Sequence, residues 1–149
     1  MPHLSSQPPE ITVENLSQSP RSTGGAWAHE KRFADVLGRR MAYVERGAGH
    51  AIVFLHGNPT SSFLWRGVLP HVEASGRRLI APDLIGMGDS DKIPAVAEPD
   101  RYRFARHARY LDAFIDEVVG TEPLTFVLHD WGGPWASTGR TAISSASAR

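Results

Sequence analysis

Residues 124 to 133 read LTFVLHDWGG: a short, mainly apolar run, then an acid and a tryptophan, then two glycines. An apolar run without strict alternation suits a strand buried on both faces of a largely parallel sheet. Small residues straight after it suit a sharp strand-to-helix turn that lifts one side chain above the sheet, and Gly132 and Gly133 stand where the backbone would crowd. Asp130 is the side chain so lifted.

Working outward, HAIVFLHG (50 to 57) and RRLIAPD (77 to 83) have the same texture, so three buried strands are expected. Longer segments separate them. SSFLWRGVLPHVEASG (61 to 76) reads as a short helix interrupted by Pro70 and ended by Gly76. DRYRFARHARYLDAFIDEVVG (100 to 120) reads as a helix with Tyr110, Leu111, Phe114, Ile115, Val118 and Val119 on one face and Gly120 as its stop. Phe104, Phe114 and Ile115 are assigned to the core. Upstream, KRFADVL (31 to 37) and RMAYVER (40 to 46), joined by GRR, read as a hairpin. Alternating strands and helices imply an α/β fold with right-handed crossovers, whose chemistry lies in loops at the carboxyl ends of the strands.

Composition narrows the function classes. The 149 residues are 41% hydrophobic, and 16 basic residues balance 16 acidic ones, as in a soluble globular protein. No basic block points to nucleic acid or to an anionic membrane, and the seven histidines are scattered. Without cysteine there is no disulfide, thiolate nucleophile or Cys-ligated metal. Residues 1 to 28 are rich in Ser, Pro and Gly and read as a flexible lead without signal peptide or membrane anchor, so a cytoplasmic location is expected. The NLS at Asn15 is read as linker rather than glycosylation site.

Three loops leave the three strands: HGNPTSSFLWR (56 to 66), PDLIGMGDSDK (82 to 92) and HDWGG (129 to 133). An isolated Asp before a helical turn would be read as an N-cap, but the company of the other loops reverses that. A carboxylate can attack carbon directly and form an ester. Such a displacement then needs its leaving group stabilised; for a halide this means N–H donors aimed at the developing anion, which the Trp131 indole and the Asn58 amide can supply. The backbone N–H groups of Asn58 and Trp131 suit an oxyanion hole for the later cleavage by water. His56 is read as holding its loop rather than as a base. GMG (86 to 88) lacks the third glycine of a dinucleotide loop, and Asp83, Asp89 and Asp91 are read as turn formers rather than calcium ligands.

Taken together, HGNPTSSFLWR, PDLIGMGDSDK, RYRFARHARYLDAF and VLHDWGG resemble the haloalkane dehalogenases of the α/β-hydrolase superfamily, from about residue 31 to residue 133. The resemblance implies Asp130 as nucleophile and Asn58 and Trp131 as the halide-stabilising pair. It implies no metal and no organic cofactor, with a small halogenated alkane and halide as the partners. Epoxide hydrolases share HDWGG, but usually carry an aromatic before the proline where this chain has Asn58.

The implied architecture is the amino-terminal half of an α/β-hydrolase fold, a mostly parallel sheet with flanking helices, without cap domain or carboxyl-terminal strands. Its core is expected over 29–133, followed by an off-family, disordered tail over 134–149. The water-activating histidine and its acid are expected to be absent, so the chain as written is expected not to turn over. Sustained halide release beyond one equivalent would contradict that. A rival expectation is an unstable, non-catalytic fragment. Read one base earlier, codons for PWASTGRTAI can spell ALGFDWANRH, which looks like the family's next helix. A single lost base near codon 133 is therefore expected, and resequencing the DNA decides it.

Overall fold

The computed structural model describes residues 30–96 and 99–137, so the lead over 1–28, Asn15 and the tail beyond 137 lie outside the described residues. The hairpin forms as β1 (Lys31–Val36) and β2 (Arg39–Arg46), antiparallel with Val36 opposite Arg39. Its turn is Leu37–Gly38 rather than GRR: both residues have positive φ, 51° and 77°, the two-residue geometry whose twist matches the flanking strands. Arg39 and Arg40 belong to β2.

Three strands follow: β3 (Ala51–Leu55), β4 (Arg78–Pro82) and β5 (Leu124–Leu128). The sheet order is β1-β2-β4-β3-β5, with β4, β3 and β5 mutually parallel and the hairpin joined antiparallel through β2 to β4. The sheet is thus mixed. β3 and β4 are buried as expected, whereas β5 is half-buried. At the end of the described sheet it is paired on one side alone, so the burial expected of a central strand is not reached.

Strand alternation divides the core into two layers. Ala51, Val53 and Leu55 join Met41, Ile80, Tyr110, Leu111, Phe114 and Val119 on one face, while Phe54 joins Val44, Leu79, Ala81, Trp65 and Leu69 on the other. The first face is covered by α2 (Phe104–Val118), whose expected stripe is buried or packed against the core and whose carboxyl end is closed by bonds from Val119 and Gly120 N–H to the Ile115 carbonyl. Phe114 is fully buried edge-on to Tyr43. Ile115 packs against the core as expected, but Phe104 does not: it lies seven residues before Leu111 on the same face, yet it is 37% exposed because it opens the helix where the stripe passes the core and lines the cavity.

The second face is covered by a 3₁₀ helix, Ser62–Gly67, and by α1 (Leu69–Glu73). Pro70 does not interrupt one longer helix. It sits in the first turn of α1, where its missing N–H leaves no bond unmade. A final helix, α3 (Gly132–Ser137), begins directly after Trp131, so residues 134–137 of the tail expected to be disordered are helical instead, as the turn's glycines lead straight into a helical turn. Among the described residues no helix is long and apolar enough to cross a membrane.

Candidate active site

Parallel register brings the three loops to one edge. Leu55 of β3 lies opposite Leu128 of β5, and Val53 opposite Ile80 of β4, so residues 56–58, 83–85 and 129–131 emerge side by side. The ladder runs one step further, with His129 N–H donating to the Leu55 carbonyl at 3.0 Å. There the chain turns sharply. Asp130 takes φ of 53°, and Gly132 N–H and Gly133 N–H donate back to the His129 and Asp130 carbonyls.

Close packing explains the small residues around this turn, with one correction. A Cβ on Gly132 would stand 2.8 Å from the Leu55 carbonyl oxygen, so only glycine fits without a shift. A Cβ on Gly133 would meet nothing within 4 Å, so the crowding expected there is absent. Across the turn, the Asp130 side chain lies against Gly57, where an added Cβ would be 2.4 Å from Asp130 Oδ2. A larger residue at 57 would displace the carboxylate.

Asn58 and Trp131 line one cavity of about 670 Å³, together with Pro59, Thr60, Ile85, Met87, Tyr102, Phe104 and His107. Most of these groups are apolar, which suits a hydrocarbon ligand with a few directing polar groups. Trp131 is 52% exposed, at the mouth of the site.

Two of the lining residues were not legible as site residues in the sequence. Tyr102 packs on Gly86, accepts the Ile93 N–H at 2.9 Å and stacks on His107 with ring centroids 5.9 Å apart. His107 is buried on the face of α2 that carries Leu111 and Phe114, and burial, with His56 nearby, pushes its imidazole down to about 4. The one available signal was a histidine at four- and seven-residue spacing within an apolar stripe.

His56 holds its loop, as expected. It is fully buried, with Nε2 accepting the Leu84 N–H at 3.0 Å and Nδ1 bonded to the Gly57 carbonyl at 2.8 Å. Burial lowers its imidazole below the ordinary value of 6.5 despite the Gly57 bond and the charge of Asp83.

Asp83 is more than the turn former expected of it. Fully buried, it accepts the Ser62 and Asp89 N–H groups, each at 2.8 Å, and pairs with Lys31. Burial alone would raise its carboxyl, but the Lys31 ammonium and the N–H donors outweigh that and lower it. Asp91 accepts the Arg40 N–H, and Asp89 pairs with Lys31 at 2.9 Å. Among the described residues no cluster of His, Asp and Glu is arranged to hold a metal ion.

The chain is 48% identical over 118 residues to the haloalkane dehalogenase of Sphingobium indicum, an alignment covering 76% of this chain and 39% of that protein. A crystal structure of the haloalkane dehalogenase DatA from Agrobacterium tumefaciens superposes with a TM-score of 0.64 at 38% identity, covering 72% of this chain and 34% of that one. An epoxide hydrolase from Vigna radiata reaches the same TM-score at 31% identity, covering 72% of this chain and 34% of that one. The chain thus spans somewhat over a third of the relatives it matches. The family model described as alpha/beta hydrolase fold matches residues 50–138, more than half of the chain, and the chain belongs to that family.

Proposed function

We propose that this chain carries the nucleophilic half of a hydrolase acting on carbon–halogen bonds. An Asp130 oxygen attacks the carbon bearing the halogen, an alkyl ester forms as the carbon–halogen bond breaks, and the halide leaves toward the Asn58 amide and the Trp131 indole N–H. Cleavage of that ester by water, with the Asn58 and Trp131 backbone N–H groups as oxyanion hole, would give the alcohol, the free carboxylate and a proton, but it needs a base that this chain as written is expected to lack, so a single alkylation is expected. The observation that carries the reading is the sharing of one largely apolar cavity by Asn58 and Trp131, beside an Asp130 held at the turn with its side chain against Gly57. The kinship with haloalkane dehalogenases supports the substrate class, a small halogenated alkane.

The test is incubation of the purified chain with 1-bromobutane, followed by bromide assay and peptide mass spectrometry. Bromide release with a butyl group on the peptide containing Asp130 is expected, and both vanish in Asp130→Ala. Asn58→Ala is expected to slow release roughly a hundredfold, the scale of losing one anion-stabilising donor. No adduct and no bromide would sink the reading. Counting bromide against chain separates a single alkylation from turnover. The Vigna radiata likeness favours an epoxide as competing substrate, and ring opening of an epoxide with no bromide release would select it.

A further inference from the structure

The strand ends beside the pocket exchange side chains. His56, directly after β3, accepts the N–H of Leu84 in the loop after β4. Because Nε2 accepts, the ring proton lies on Nδ1, which donates to the Gly57 carbonyl. Asp83, directly after β4, accepts through Oδ1 the N–H of Ser62, at the far end of the loop that carries Asn58. Its Oδ2 accepts the Asp89 N–H, closing the loop that carries Gly86 and Met87. Each side chain thus holds the other strand's loop. Both are fully buried, and neither lines the cavity that the two loops enclose.

We propose that His56 and Asp83 are positioning residues, a crossed clamp that couples the loop carrying Asn58 to the loop carrying Gly86 and Met87, so that the two pocket walls hold or open together. The consequence for the halide rests on the function proposed above; the coupling itself does not. The charged and titratable groups facing His56 are Asp83 after β4, Lys31 of β1, His129 after β5 and His107 of α2. Protonating Nε2 removes the acceptor for Leu84 and sets two donors face to face, so the clamp opens on acidification below 6.5.

Amide hydrogen exchange on the full ¹⁵N-labelled chain, from pH 7.5 downward, tests this, with sodium bromide binding read by tryptophan fluorescence in parallel. The Leu84 and Ser62 amides, on separate loops, are expected to lose at least tenfold protection with one midpoint, matching the His56 imidazole titration while Val53 and Ile80 stay protected. Bromide affinity is expected to fall at least tenfold over the same range. His56→Gln, which keeps an acceptor but cannot protonate, is expected to abolish the step, and His56→Leu to release both amides at every pH. Release of Leu84 without Ser62, or persistence of the step in His56→Gln, overturns the clamp. If circular dichroism shows the variants unfolded, the wild-type midpoints decide: a shared midpoint supports the clamp, separate ones overturn it. Absence of bromide binding at any pH counts against the proposed function, whereas the two amides still decide the clamp.

Discussion

Asp130 holds a left-handed backbone that costs a non-glycine residue roughly 1–2 kcal/mol, within a turn closed by the Gly132 and Gly133 N–H groups. Gly132 abuts the Leu55 carbonyl and Gly133 abuts nothing, so the two glycines should answer differently to one methyl group. Gly132→Ala is expected to destabilise by roughly 1–3 kcal/mol through the forced shift of β3 backbone. Gly133→Ala is expected to be neutral or to stabilise by up to about 1 kcal/mol, since alanine is the better helix former. Urea unfolding of the two variants checks this, and equal losses would contradict it.

The buried histidines set a second expectation at this scale. His56 and His107 are both lowered in the fold, so the unfolded chain binds protons that the folded one refuses. Stability is then full above pH 6.5 and falls as pH drops below it, for His107 until about pH 4, a window worth roughly 3 kcal/mol. His107→Gln is expected to flatten the fall of the melting temperature between pH 6.5 and 4.5, and an unchanged slope would remove His107 from the account.

Among the elements, the β1–β2 hairpin is the one whose local chemistry opposes its geometry. Leu37 takes φ of 51° in the turn while 47% exposed, so it bears backbone strain and recovers little from burial. Leu37→Asn is expected to stabilise by about 0.5–1 kcal/mol, because Asn-Gly is the preferred pair for such a turn. A lower unfolding midpoint would show instead that the Leu37 side chain contributes packing. The α2 helix is the opposite case: its apolar spacing, its Gly120 stop and its place on the sheet agree with one another.

For the molecule as a whole, both ends of the described sheet, β1 and β5, are paired on one side alone. Glu45 of β2 binds both Arg32 of β1 and Arg78 of β4, tying the hairpin to the parallel strands. Among the described residues β5 pairs with β3 alone, and its half-buried apolar side chains lie along an open ladder. Such an edge templates association. Thr125→Lys, at an exposed position of β5, is expected to reduce concentration-dependent light scattering while leaving far-ultraviolet circular dichroism unchanged. Equal scattering in the two chains would place the association elsewhere.

Local pattern was enough for the elements and for two loops that meet at the cavity. The runs around AIVFL, RLIAP and LTFVL are strands, the 100 to 120 stretch holds the long helix, and Asn58 and Trp131 do meet in one cavity. These follow from periodicity and from strand-to-loop punctuation, which act over a few residues. What no local pattern carries is which buried polar group answers which distant backbone. Asp83 looked like a turn former and instead holds Ser62, Asp89 and Lys31; His107 and Tyr102 looked like parts of a helix and its approach and instead form a pocket wall; Phe104 left the core for the rim. Those assignments depend on strand order β4-β3-β5 and on parallel register, which bring residues 56, 83 and 130 to one edge, and on the packing of β1 and α2 that sets Lys31 and His107 beside them. Contacts across such separations are created by packing, and only the folded chain specifies them.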